Sequence, residues 1–311
     1  MEKIKLGAVN MHVKQQGYEV NRKKMLDFIE QAASEKIDFL VFPEVALQGY
    51  MDDEAVGSPK AIQQKYYFRK TAETVPGPFC DSVQELARKY QMYVQVGMAE
   101  KCLNGDVLYN SAVIVGPQGV EGIFRKLHNQ FEFSVFNPGD DLPVFNLPIG
   151  KVGPFICYDL AFPEVNRVQA LKGAQILSLT TAWPMQGRDM ENDHYGYCYD
   201  IMSRSNAMFN MAWMVSSNHA EKRDDFWYYG HSRIISPDGY IIAELVDEEG
   251  IASAEVDVEG GVDKSRTSSF FGLSLIQDRR PEFYSIISDK DAYYRFDAEH
   301  ASQSESISEK S

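Results

Sequence analysis

Short apolar runs alternate with amphipathic stretches along most of the chain. Ile4 to Val9 reads as a strand. Asn21 to Ala33 reads as a helix that carries Met25, Phe28, Ile29 and Ala32 on one face. Phe39 to Phe42 is a second apolar strand ending at Pro43-Glu44, so the chain opens in a βαβ-like manner. Ser58 to Thr74 and Cys80 to Tyr90 are predicted helices, separated by the break at Pro76-Gly77-Pro78. Tyr93 to Gly97 is the next strand. Tyr109 to Val115 and Val120 to Phe124 form a predicted hairpin around Gly116-Pro117-Gln118-Gly119.

Val152 to Ile156 has the pattern of a buried strand, and Pro163 opens a helix over Glu164 to Lys172 that stops at Gly173. Ile176 to Leu179 is a strand, Asp189 to Phe209 is helical in part, and Trp213 to Ser216 is a strand. A second hairpin follows, His231 to Ile235 and Tyr240 to Leu245 around Ser236-Pro237-Asp238-Gly239. Each half of the chain thus runs through sheet strands and helices to a hairpin with a Pro-x-Gly turn. That likeness predicts a pseudo-symmetric, two-sheet single domain over 1–295. From Phe296 the chain is rich in Ser, Glu and Lys, and 296–311 reads as a disordered tail.

At 311 residues and 44% apolar, the chain has the material for a folded globular core. The net charge of −14 argues against a nucleic-acid partner, whose phosphates demand basic patches. No long uncharged apolar run is present to span a membrane. The first residues lack the apolar core of a signal peptide, which makes the cytoplasm the expected location. Cys80, Cys102, Cys157 and Cys198 are widely spaced and contain no Cys-x-x-Cys pair. A zinc knuckle, a thioredoxin-type site and a disulfide framework are therefore not expected, and no metal or other cofactor is implied.

The candidate chemistry sits at strand ends. Cys157 falls where the predicted strand Val152–Ile156 gives way to a turn before a helix, and open α/β sheets place ligands at the carboxyl ends of their strands. Two readings of Cys157 stand on this stretch alone, a buried structural thiol or a nucleophile. Glu44 follows a strand end in the same way, and reads either as a solvated loop carboxylate or as a base. Lys126 and Glu132 follow the first hairpin. A shielded carboxylate can take a thiol proton, and an ammonium with a backbone N–H can stabilise an oxyanion. A second carboxylate can hold the ammonium in place. Surface positions for the lysine and the glutamates are the alternative.

The segments that carry these residues resemble the nitrilase superfamily of carbon–nitrogen hydrolases, on its amidase and carbamoyl-amide hydrolase side. They are Val41-Phe42-Pro43-Glu44, Phe124-Arg125-Lys126-Leu127-His128, Glu132 with Phe136-Asn137-Pro138-Gly139, and Ile156-Cys157-Tyr158-Asp159 through Pro163-Glu164. Gly230-His231-Ser232 and Asp278-Arg279-Arg280-Pro281-Glu282-Phe283-Tyr284 also match, so the resemblance spans roughly residues 3 to 285.

The resemblance implies a four-layer αββα sandwich and a Glu-Lys-Cys triad without a cofactor. Cys157 would be the nucleophile, Glu44 the base and later the acid, and Lys126 the oxyanion partner together with the N–H of Tyr158. Glu132 would orient the lysine and the substrate. Glu164 and Arg167 match a structural ion pair of the family. One departure is Asn206, which stands where many members carry an arginine, with Arg204 two residues earlier. The family also implies a homodimer or higher oligomer, formed through helices near the nucleophile and the C-terminal segment.

Two rival readings are a papain-like Cys–His pair using His128, His219 or His231, and a binding or assembly module that has lost turnover. Tyr50, Phe131, Trp183, Tyr195, Trp227 and Tyr228 could line a pocket; Tyr50 and Trp183 from this set, together with Tyr158, are the substrate-binding candidates. Asp52-Asp53-Glu54 could attract an amine-bearing substrate or form a solvated loop. The Cys157-Tyr158-Asp159 tripeptide resembles amidases and carbamoyl-amide hydrolases rather than true nitrilases, which typically read Cys-Trp-Glu. The expected substrate is a small amide, with an N-carbamoyl amine as the alternative. No arginine pair flanks the cysteine motif to clamp a carboxylate, which counts against N-carbamoyl amino acids.

Overall fold

In a computed structural model of the chain, residues 3–50, 58–103, 107–129, 134–222, 226–268 and 270–292 are described. The elements in chain order are β1 (Ile4–Asn10), α1 (Tyr18–Ser34), β2 (Phe39–Val41), α2 (Pro59–Thr71), α3 (Pro78–Tyr90), β3 (Tyr93–Lys101), β4 (Leu108–Gly116) and β5 (Gly119–Arg125). They continue with β6 (Phe145–Leu147), β7 (Gly150–Ile156), α4 (Pro163–Leu171), β8 (Ile176–Thr181), α5 (His194–Asn210), β9 (Trp213–Asn218), β10 (Ser232–Ile235), β11 (Ile241–Leu245), β12 (Gly250–Val256) and α6 (Val258–Ser268).

The strands form two six-stranded sheets, β12-β1-β2-β3-β4-β5 and β11-β10-β9-β8-β7-β6. Their wiring is the same. In each, three consecutive strands run parallel, a hairpin adds two antiparallel strands at one edge, and one antiparallel strand closes the other. The likeness between the two halves of the sequence is thus a likeness between two sheets. The chain's late strand β12 returns to pair with β1.

Three apolar layers separate four structural ones. Val9, Leu40, Val94 and Val96 face outward from the first sheet and pack with Met25, Phe28, Phe79 and Val83 of α1 and α3. Their neighbours Ala8, Phe39 and Val41 face the other way, onto Val152, Ile176, Val215 and Ile234 of the second sheet. The outer side of that sheet packs through Phe155, Leu177 and Leu179 against Val165, Tyr199 and Ala207 of α4 and α5. With both faces covered, the central strands are mostly apolar and buried, which is why they read as near-continuous runs rather than alternating ones. The result is the αββα sandwich expected from the sequence.

Several boundaries differ from expectation. The second predicted helix ends at Thr71 rather than Thr74, and the Asp189–Phe209 helix starts only at His194, where the Asp193 side chain accepts the Gly196 N–H as a cap. β6, β12 and α6 have no predicted counterpart. The expected Glu164–Arg167 ion pair is not formed. Arg167 instead donates to the carbonyls of Phe209 (2.7 Å) and Leu275 (3.3 Å), tying α4 to the end of α5 and to the C-terminal segment, while Glu164 is exposed. The 296–311 tail lies outside the described residues.

Candidate active site

Four strand ends converge. β2 delivers Glu44, β5 delivers Lys126, β7 delivers Cys157 and β8 delivers Thr181 and Ala182. Two of these strands belong to each sheet, so the site forms where the carboxyl ends of both sheets meet.

Cys157 begins a short 3-10 turn, Cys157–Ala161, that bridges β7 to α4. Its φ of +46° places a non-glycine residue in the left-handed region, a strained conformation that surrounding bonds must hold. Asp159 supplies two of them. Its Oδ2 accepts the Ile156 N–H (3.2 Å), and its Oδ1 accepts the N–H of His128 (3.0 Å) and contacts His128 Nδ1 (2.8 Å). One buried carboxylate thus joins the cysteine turn to the segment that follows Lys126. Asn206 helps from the other side, donating to the Leu160 carbonyl (3.1 Å). The asparagine that departs from the family pattern therefore braces the same turn.

Glu44 and Lys126 are both fully buried, with Lys126 Nζ 2.8 Å from Glu44 Oε1. The same oxygen accepts Asn110 Nδ2 (2.7 Å), and Oε2 accepts the Ala182 N–H (3.0 Å). Buried charges persist when paired and hydrogen-bonded, and this carboxylate is both. The lysine's backbone is fixed as well, its N–H bonded to the Asn110 carbonyl (2.9 Å) and its carbonyl to the Gly139 N–H (2.7 Å).

Burial, and next the Glu44 carboxylate, push the Cys157 thiol well above its ordinary range. The Lys126 ammonium, the Thr181 hydroxyl and the Ala182 N–H pull it down without overcoming the rise. The resting group is a neutral thiol beside a carboxylate. Such an arrangement can pass the proton to the carboxylate as the sulfur attacks.

The aromatic candidates divide. Trp183 follows Ala182 directly. Its N–H bonds Asn218 Oδ1 (2.8 Å) and its indole N–H the Tyr195 carbonyl (2.8 Å). Tyr228 packs on His219 with ring centres 4.8 Å apart, and Tyr50 meets the same ring edge-on at 6.3 Å. Tyr158 leans on Phe162 at 5.1 Å. Tyr195, 43% exposed on α5, accepts the Trp183 indole N–H through its carbonyl, and its ring centre lies 6.3 Å from that of His194. Glu132, Phe131 and Asp52-Asp53-Glu54 lie outside the described residues.

None of the three histidines of the rival reading serves the thiol. His128 is bound to Asp159, His231 contacts Glu244 (2.9 Å), and His219 contacts the Glu44 carbonyl and Glu221. Among the described residues no three His, Cys, Asp or Glu side chains are grouped to hold a metal ion. Sequence reasoning missed Asn110 and Ala182, and points to His219 only as a candidate partner of the thiol rather than of the Glu44 carbonyl. Only Asn110 left a signal, as a lone amide inside the apolar run of β4.

A buried thiol, carboxylate and ammonium thus meet at the joined ends of two stacked sheets. The profile of the carbon–nitrogen hydrolase family matches residues 5–262. A probable nitrilase of Schizosaccharomyces pombe is 29% identical over 91% of this chain and 97% of its own length. An omega-amidase of Danio rerio is 26% identical over 92% and 98%. An N-carbamoylputrescine amidase of Solanum lycopersicum is 30% identical over 83% and 86%. Among solved structures, a carbon–nitrogen hydrolase of Helicobacter pylori superposes with a TM-score of 0.79, covering 93% of this chain and 99% of that one at 24% identity. The chain belongs to the carbon–nitrogen hydrolase family, within the nitrilase superfamily.

Proposed function

We propose that the protein hydrolyses a small linear amide through a thioester on Cys157, releasing ammonia or an amine. The observation that carries this reading is the Glu44 carboxylate, held by Lys126, Asn110 and the Ala182 N–H while its charge acts on the Cys157 thiol. Glu44 takes the thiol proton as Sγ attacks the carbonyl carbon. The Lys126 ammonium stabilises the oxyanion, joined by the N–H of Tyr158, which lies in the first turn of a 3-10 segment where N–H groups lack an internal acceptor. Glu44 then protonates the departing amine, and afterwards removes a proton from the water that opens the thioester. Glu132 is assigned the orienting of lysine and substrate on the family resemblance alone.

An amide fits because its intermediate carries an oxyanion, whereas a nitrile builds charge on nitrogen and needs a different pose. The N-carbamoyl amine remains the second reading, supported by the N-carbamoylputrescine amidase among the relatives. We also propose that the protein assembles at least as a dimer.

The test compares kcat/KM for a nitrile, an amide and an N-carbamoyl compound bearing the same side chain, with Cys157→Ala alongside. The amide should lead, an acyl adduct should map to Cys157, and the alanine variant should lose activity by about 10³-fold or more while remaining folded. Turnover by the alanine variant, or a nitrile hydrolysed as well as the other two, would overturn the reading.

A further inference from the structure

His219 is fully buried, yet neither ring nitrogen faces the thiol. Nε2 lies 2.7 Å from the main-chain carbonyl of Glu44, and Nδ1 lies 3.0 Å from Glu221 Oε1. The other Glu221 oxygen accepts the N–H of Val13 (3.0 Å), so the carboxylate is itself fixed to the segment after β1. A carbonyl only accepts, so Nε2 carries the hydrogen of its bond. The Nδ1 contact ties the ring to the carboxylate. Glu221 therefore sets which way the imidazole faces.

The carbonyl that receives this bond belongs to the peptide between Glu44 and Val45. Val45 has φ +46°, a costly conformation for a β-branched residue, and such strain survives only where neighbours impose it. The turn throws the Glu44 side chain toward the Ala182 N–H of the second sheet and the Lys126 ammonium, which follows β5 of its own sheet. The ring of His219 is in turn flanked by Tyr50 and Tyr228.

We propose that His219, oriented by Glu221, is a positioning residue for the base. It pins the Glu44–Val45 peptide in its strained turn and so aims the Glu44 carboxylate at Cys157. This inference rests on the reading of Glu44 as the base. Misplacing a reacting group by about 1 Å can cost about 10²-fold in rate, so a single hydrogen bond to that peptide has leverage on the chemical step.

The test uses the full chain and the amide that the wild type turns over best. His219→Leu removes the donor. His219→Gln keeps one, since the amide nitrogen of glutamine reaches the place of Nε2. His219→Leu should stay folded by circular dichroism and lower kcat about tenfold or more, with KM within about threefold of wild type. Alkylation of Cys157 by iodoacetamide at neutral pH should slow in step, and His219→Gln should restore both to within about threefold. Should His219→Leu fail to fold, Glu221→Leu decides, and is expected to lower kcat severalfold with KM little changed.

A folded His219→Leu with unchanged kcat, a loss confined to KM, or no recovery in His219→Gln would each overturn the inference. If Cys157→Ala is dead while His219→Leu is fully active, only the positioning role falls. If Cys157→Ala is active, the underlying mechanism falls with it.

Discussion

Glu44 receives donors on both carboxylate oxygens, from Asn110 and Lys126 on one and from the Ala182 N–H on the other. Glu44→Gln keeps the shape but brings an NH2 group against these donors and cannot take a proton. It is expected to lower kcat by about 10²-fold or more, measured at saturating amide, and to lower the thermal midpoint as well, because the buried Lys126 ammonium loses its counter-charge. Cys80, buried under α3, gives a separate prediction. Burial pushes its thiol from an ordinary 9.0 up to about 12. Below pH 9 the thiol is protonated in folded and unfolded chains alike and stability is indifferent to it. Between about 9 and 12 the unfolded chain loses the proton and the folded chain keeps it. Stability then falls as pH rises, by about 1.4 kcal/mol per pH unit for one such group. Urea midpoints taken at rising alkaline pH should decline, and Cys80→Ala should flatten that decline by about one proton's worth.

At the scale of elements, the end of β2 is placed by how closely β3 approaches it. A Cβ at Gly97 would stand 2.0 Å from the Pro43 carbonyl oxygen, so no other residue fits without moving the strand end that carries Glu44. Gly97→Ala should cost about 1–3 kcal/mol in urea unfolding and should also lower the kcat of the folded protein. The central strands were legible because burial on both faces makes them short, mostly apolar runs. β6 was not, being three residues set between Pro143 and Pro148. β12 was not, because Gly250, Ala252, Ser253 and Ala254 give it little β-branched character. Gly260 and Gly261 hid α6 in the same way. Glu44, Lys126 and Cys157 could be picked out as polar residues just past strand ends. The Ala182 N–H could not, and neither could the bond from His219 to the Glu44 carbonyl, since a backbone donor has no side-chain signature and a hydrogen bond spanning 175 residues leaves no local pattern.

Across the whole molecule, α5 carries Tyr197, Ile201 and Phe209 on its outer side, 62%, 44% and 50% exposed. Large apolar side chains exposed on an outer helix form a patch that association would cover. Light scattering should report a dimer or larger species, and Ile201→Glu should shift it toward monomer. A monomeric wild type would remove the assembly proposal. The inner layer has a different consequence. Glu44 is rooted in one sheet and Cys157 in the other, and the sheets are bolted together by Ser178 Oγ to Gln95 Oε1 (2.6 Å) and by the Glu44 N–H to the Thr181 carbonyl (3.3 Å). The sandwich therefore works as a caliper. Its jaws are Glu44 and Cys157, and the filling between the sheets includes Val41 and Ile114 against Val152 and Val215. On the proposed mechanism, a methyl group added or removed deep in that filling changes how far the proton must travel, which makes the packing of the interior a control on the rate of the chemistry.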